Sequence, residues 1–111
     1  MMRFNIRDQH WSVQMVPAHD PGLWVDGTAR TGTTWSVAQE IYISDELPEN
    51  QGYRVVLHEL THAFIAATQV HSPESWEEEA VCELVALYGD EIVAQANKTM
   101  EGLYGKRNPG V

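Results

Sequence analysis

Between Glu49 and Thr68 the chain carries an apolar stripe and a polar motif on opposite sides of one helix. Val56, Leu60, Ala63, Phe64 and Ala67 recur at helical spacing and form a single face. His58, Glu59 and His62 fall between them, and at ~100° per residue the two histidines lie nearly opposite that face. The helix therefore has one side for a core and another for a site, and the rest of the chain has to cover the first. Pro48 suits a first helical turn, where its missing N–H costs nothing, and Gly52 weakens the helix only slightly.

The covering layer is predicted upstream. HWSVQMVP alternates Trp11, Val13 and Met15 against Ser12 and Gln14, the period of a half-buried strand. Pro17 and the turn residues Asp20–Gly22 precede a short run, LWV, and DGTARTGTT reads as loop or hairpin. A strand near 39–44 places Ile41 and Ile43 on one side and Tyr42 on the other. Downstream, a loop through His71 to Ser75 leads to a second helix over roughly 75–97. Its stripe is Val81, Leu84, Val85, Tyr88 and Ile92, with Gly89 as a point where it kinks or splits. The final EGLYGKRNPGV is expected to fray. The fold class is α+β: a small antiparallel or mixed sheet from the first ~45 residues, packed on the histidine-bearing helix and its successor. One domain spans 1–111, with 1–47 mainly β, 48–101 mainly helical and 102–111 a tail.

Composition narrows the function classes. At 111 residues the chain supports a single modest core, and 43% hydrophobic with 21% charged residues is a globular balance. No apolar run approaches the ~20 residues that span a bilayer, and MMRFNIRDQHW lacks the apolar centre of a secretory signal, so no membrane partner is expected. A lone cysteine, Cys82, makes no intramolecular disulfide and suits a reducing cytoplasm. The net charge of −9 argues against a nucleic-acid partner and favours cations near the surface.

His58-Glu59-Leu60-Thr61-His62 fits H-E-x-x-H. Residues i and i+4 stack one turn apart, so both imidazoles reach one Zn²⁺ at ~2.0–2.1 Å. The intervening Glu59 flanks that face, where it can hold a water at the metal and take its proton. A catalytic zinc usually takes three protein ligands. The H-x-x-G-x-x-H continuation is absent, since Thr68 stands where a third histidine would fall. The remaining donors are His71 and the acidic run Glu77, Glu78 and Glu79. Taking Val81 as the inward reference, Glu78 and Glu77 fall on the inward side, while Glu79, Glu83 and Asp90 fall toward solvent. Ser75-Trp76-Glu77-Glu78 also matches the S-x-x-E capping box, in which Glu78 would bond back to the Ser75 N–H; Ser72-Pro73 offers a rival helix start that frees it.

His58-Glu59-Leu60-Thr61-His62 followed by Glu78-Glu79-Ala80-Val81-Cys82 resembles the gluzincin arrangement of zincin metallopeptidases. Thermolysin-type members begin an E-x-x-x-D element with the ligand Glu, and ImmA/IrrE-type peptidases an E-x-x-A-N element. The run IYISDELPENQGYRVVLHELTHAF is also similar to small phage and prophage metallopeptidase-like proteins. The resemblance covers roughly residues 39–93. It implies a minimal zincin fold, Zn²⁺ held by His58, His62 and Glu78, Glu59 as general base, and hydrolysis of a peptide or protein substrate. It further implies that the strand near 39–44 pairs with an extended substrate. Cys82 stands where the family places an Asp or Asn that orients a ligand histidine, and a thiol is a poor acceptor.

The other candidates have simpler readings. Cys82 is expected as a small apolar residue and His71 as a solvated loop histidine. Tyr53 and Tyr88 are candidate donors to a tetrahedral intermediate, although Tyr88 fits the core stripe. His10 and His19 have no supporting spacing. Trp11, Trp24, Trp35 and Trp76 read as core and groove wall, because no basic patch accompanies them. Two further functional readings stand beside a peptidase of broad range: a metal-stabilised binding module that cuts nothing, and a peptidase dedicated to one regulatory partner such as a repressor.

Overall fold

The computed structural model describes residues 1–68 and 78–105, with the side chains of Glu78, Glu79 and Cys82 outside that description. In chain order come β1 (Met2–Ile6), β2 (Gln9–Val16), a 3₁₀ turn at Pro21–Leu23, β3 (Trp24–Val25) and β4 (Thr28–Ala29). They are followed by β5 (Gly32–Trp35), β6 (Glu40–Ser44), α1 (Glu49–Thr68) and α2 (Glu78–Tyr104). The molecule is a small α+β domain. Its mixed sheet runs in the order β1-β2-β6-β5, and β3 and β4 form a separate hairpin.

The alternation in β2 does what its period requires. Trp11 and Val13 are buried, and their neighbours on β1 and β6 bury the same face through Phe4, Ile6, Ile41 and Ile43. β1 was not anticipated, although Met2, Phe4 and Ile6 alternate with Arg3 and Asn5. The two-residue link Arg7-Asp8 closes the β1–β2 hairpin. Asp26-Gly27, both at positive φ, closes β3–β4 with the Asp-Gly chemistry of such turns.

β6 lies inside the sheet. It pairs parallel to β2 on one side and antiparallel to β5 on the other. Its backbone groups are therefore committed on both sides, and the expected pairing of the 39–44 strand with a substrate is excluded. The open edge beside α1 is β5 instead, in a stretch expected to be loop or hairpin. The ladder fixes which groups it offers. Ser44 N–H donates to the Thr31 carbonyl at 2.9 Å, so residues 31, 33 and 35 face β6, and Gly32 and Thr34 turn their N–H and C=O outward.

α1 has the predicted bounds and the predicted faces. Val56, Leu60, Ala63 and Phe64 are buried against the sheet, while His58 and His62 are exposed. Each fully buried side chain of this size, Leu60 for example, contributes roughly 1.5–3 kcal/mol through loss of apolar hydration. Pro48 precedes the helix and its carbonyl accepts from Gly52 N–H at 2.8 Å. Gly52 is there for packing: a Cβ would run into the hydroxyl of Tyr104, which donates to the Leu47 carbonyl at 3.1 Å.

α2 departs from expectation in phase and in length. Val81 and Val85 are 44% and 61% exposed, and the buried line is Leu84, Ile92, Ala96 and Thr99, with Tyr88 half-buried. Apolarity alone misjudged the inward direction, because α1 and the sheet meet α2 along an i, i+4 line to one side of those valines. Glu83 and Asp90 face solvent as expected. The helix is continuous through Gly89 and runs to Tyr104, where Gly105 at φ +82° ends it. Its last turns are held by tertiary contact, since Gly102 sits against Met2 of β1.

Candidate functional site

His58, Glu59 and His62 project from the middle of α1 toward β5. The two imidazoles meet edge to face, with ring centroids 4.8 Å apart and Nε2 to Nε2 at 3.2 Å. Two ligands at ~2.0–2.1 Å from one tetrahedral ion stand about 3.3 Å apart, so the pair is spaced to share a Zn²⁺. The residues between them serve the helix: Leu60 anchors the core, and the Thr61 hydroxyl donates to the Leu57 carbonyl at 2.7 Å.

Glu59 differs from both histidines in being buried, at 6% exposure. A buried carboxylate requires hydrogen-bonded compensation. It comes from Thr34 on the edge strand, whose hydroxyl lies 2.8 Å from Oε1 and 3.1 Å from the Glu59 carbonyl oxygen. The other oxygen, Oε2, lies 3.9 Å from Nε2 of His58. One oxygen is therefore fixed by the sheet and the other stands beside the histidine pair. Thr34 belongs to DGTARTGTT and was missed because that stretch has no apolar period. The threonine repeat in a run flanked by glycine was the available signal.

Gly32 allows this approach. A Cβ there would clash with Val55 and lie 3.0 Å from Cγ of Glu59, so β5 passes α1 this closely because the position is glycine. Two clefts meet at His58 and Glu59. The larger, about 920 Å³, runs toward Trp35, Val37, Ile65 and Ala66. The smaller, about 500 Å³, runs toward Arg30, Gln51 and Arg54.

The remaining candidates are placed elsewhere. Among the described residues no group of three or more His, Cys, Asp and Glu could share a metal ion. The side chains of Glu78, Glu79 and Cys82, and the whole of Glu77, His71, Trp76 and the Ser75 helix start, lie outside the described residues. The angular reference for Glu78, Val81, is exposed. Tyr53 packs against the core, and Tyr88 lies against Phe64 with the Arg7 guanidinium 5.2 Å above its ring. Neither tyrosine lines the two clefts at the histidine pair. His10 bonds Asn5 at 2.8 Å on the far side of the sheet edge, and His19 is exposed. Trp11 is core and Trp35 is cleft wall, as expected.

No protein family, curated protein or solved structure matches this chain.

Proposed function

We propose that the chain is a minimal zinc-dependent metallopeptidase of zincin type. The observation that carries the reading is the buried Glu59 carboxylate, anchored through one oxygen by Thr34, with its other oxygen beside a histidine pair spaced for one ion. His58 and His62 would hold the zinc, with Glu78 as third ligand on the strength of the motif. A bound Zn²⁺ would supply acidity to a water molecule and polarise the scissile carbonyl. Glu59 takes the proton of the attacking water on Oε2 and passes it to the leaving amine. Its burial and the Thr34 bond keep that oxygen aimed at one place. The outward N–H and C=O groups of Gly32 and Thr34 would pair with an extended peptide across the histidines, antiparallel to β5 as β6 is on its other side, the more stable of the two pairings.

The test separates metal binding from chemistry. Purified protein should hold about one zinc per chain, and His58→Ala, His62→Ala or Glu78→Ala should lose it. Glu59→Gln should keep the metal and lose peptide cleavage; normal cleavage by that variant would sink the mechanism. Zinc retained with no cleavage by wild type, on generic peptides and on proteins captured by Glu59→Gln, would favour a binding module.

A further inference from the structure

The groove at the histidine pair has opposite chemistry at its two ends, and its strand and helix give it a direction. α1 presents one continuous line to the groove: Gln51, Arg54, His58, His62, then Ile65 and Ala66. These are successive turns of one helix face. β5 runs alongside in the same sense, since Gly32 lies against Val55 and Glu59, Thr34 reaches Glu59, and Trp35 to Val37 share a cleft with Ile65 and Ala66 but not with Gln51 and Arg54. The end reached first is cationic and polar. The end reached last is apolar, with Val37 fully exposed and Trp35 at 38%.

The cationic end is a local reversal of the molecule's charge. The chain has 16 Asp and Glu against 7 Lys and Arg. Of the described residues, Glu59 is the one acid lining either cleft, and its charge is buried. Arg54 lines the smaller cleft only and Arg30 stands where the two clefts meet, lining both; neither has an ion-pair partner among the described residues. Arg54, one helix turn before His58, and Arg30, two residues before β5, bring two guanidiniums to one cleft and form a place for a carboxylate.

We infer that the groove selects peptides with an apolar residue on the N-terminal side of the histidine pair and a carboxylate on the C-terminal side. This rests on the proposed pairing of peptide with β5, which sets the direction. A chain antiparallel to β5 brings its N-terminal part to Trp35, Val37 and Ile65 and its C-terminal part to Arg30 and Arg54. The carboxylate comes either from an Asp or Glu side chain or from a free C-terminus.

Binding to zinc-supplied Glu59→Gln protein tests this without requiring turnover. Of four fluorescein-labelled probes, the first three share a Phe before the central bond. One is amidated with Glu two residues beyond it, one is amidated with Lys there, and one ends there in a free carboxylate. The fourth is the Glu peptide with its sequence reversed. The Glu probe, the free-carboxylate probe or both should bind about fivefold tighter than the Lys and reversed probes, with the gap narrowing from about 0.05 to about 0.5 M salt. Which of the two binds identifies the source of the carboxylate. Arg54→Glu, an exposed position that tolerates the change, should invert the Glu–Lys preference. Equal affinities, a Lys preference in the parent, or no binding by any probe would overturn the inference. Charge-selective binding with no cleavage by wild type would instead leave the inference standing and remove the peptidase reading. Cleavage indifferent to charge would do the opposite.

Discussion

The hydroxyl of Thr34 sits 2.8 Å from Oε1 of Glu59 and 3.1 Å from that residue's own carbonyl oxygen, tying the edge strand to the one buried acid of α1. A single side chain thus fixes both the strand's distance from the helix and the carboxylate's rotamer. Oε1 is occupied by this contact, and Oε2 is left to face the histidines.

Removing that hydroxyl while keeping its shape should separate aim from assembly. Under the proposed peptidase reading, Thr34→Val is expected to lower peptide turnover by about 10-fold, the usual scale for a lost supporting bond at a metal site, with zinc content unchanged. Thr34→Ser should recover most of the loss. Steady-state kinetics with metal analysis on the same samples checks both, and unchanged turnover in the valine variant would remove Thr34 from the mechanism.

Gly32 should tolerate nothing larger. An alanine methyl would press on Val55 and on Glu59, so the strand must retreat or the carboxylate must turn. Gly32→Ala is expected to cost about 1–3 kcal/mol of stability as overpacking and, under the proposed peptidase reading, to reduce turnover in zinc-loaded protein. Chemical denaturation and an activity assay read the two effects separately.

The observed phase of α2 can be tested against the apolar stripe. Leu84→Ala empties a buried position on the observed inward line of α2 and should cost about 2–5 kcal/mol in urea unfolding. Val85→Ala, at 61% exposure, should stay within about 0.5 kcal/mol of wild type. A large loss at Val85 would mean that this face of α2 is covered in solution.

Tyr104 gives the fold an alkaline limit. Burial, and then the negative charge of Glu49, hold its phenol above the ordinary value of about 10. The folded state therefore keeps the proton more tightly than the unfolded chain. The associated stability is complete below the unfolded pKa and disappears as pH rises through the folded one. Deprotonation also removes the donor to the Leu47 carbonyl. Melting temperature should fall more steeply above about pH 10 in wild type than in Tyr104→Phe, which itself begins about 0.5–1.5 kcal/mol lower for the missing bond.

What the sequence disclosed follows the strength of local periodicity. α1 was legible to its ends because five apolar residues at helical spacing and an opposing pair of histidines agree on one phase. β2 and β6 were legible from alternation. β5 was not, because Gly-Thr-Thr-Trp carries no apolar period: its glycine answers to Val55 and Glu59, and its second threonine to Glu59. The same dependence on distant partners hid the last turns of α2, which persist because Ala96, Thr99 and Gly102 meet the rest of the fold. Of the site, the helix contributed everything readable. The strand and the link before it contributed what only the fold could reveal: Thr34, the open edge and Arg30. Arg54 was open to inspection, one turn before His58, and went unread because a single arginine on an exposed face has no pattern.

The line from Gln51 to Ala66 along α1 also acts as a ruler. Fifteen helical rises amount to about 22 Å, which an extended chain covers in about seven residues. Under the proposed pairing of a peptide with β5, a helix built to cover one small sheet thereby sets how long a segment of another polypeptide must be pulled straight before both ends of the groove are filled. Short flexible peptides and loosely held termini meet that length easily, whereas a folded protein would have to surrender about two turns of helix or one whole strand to meet it.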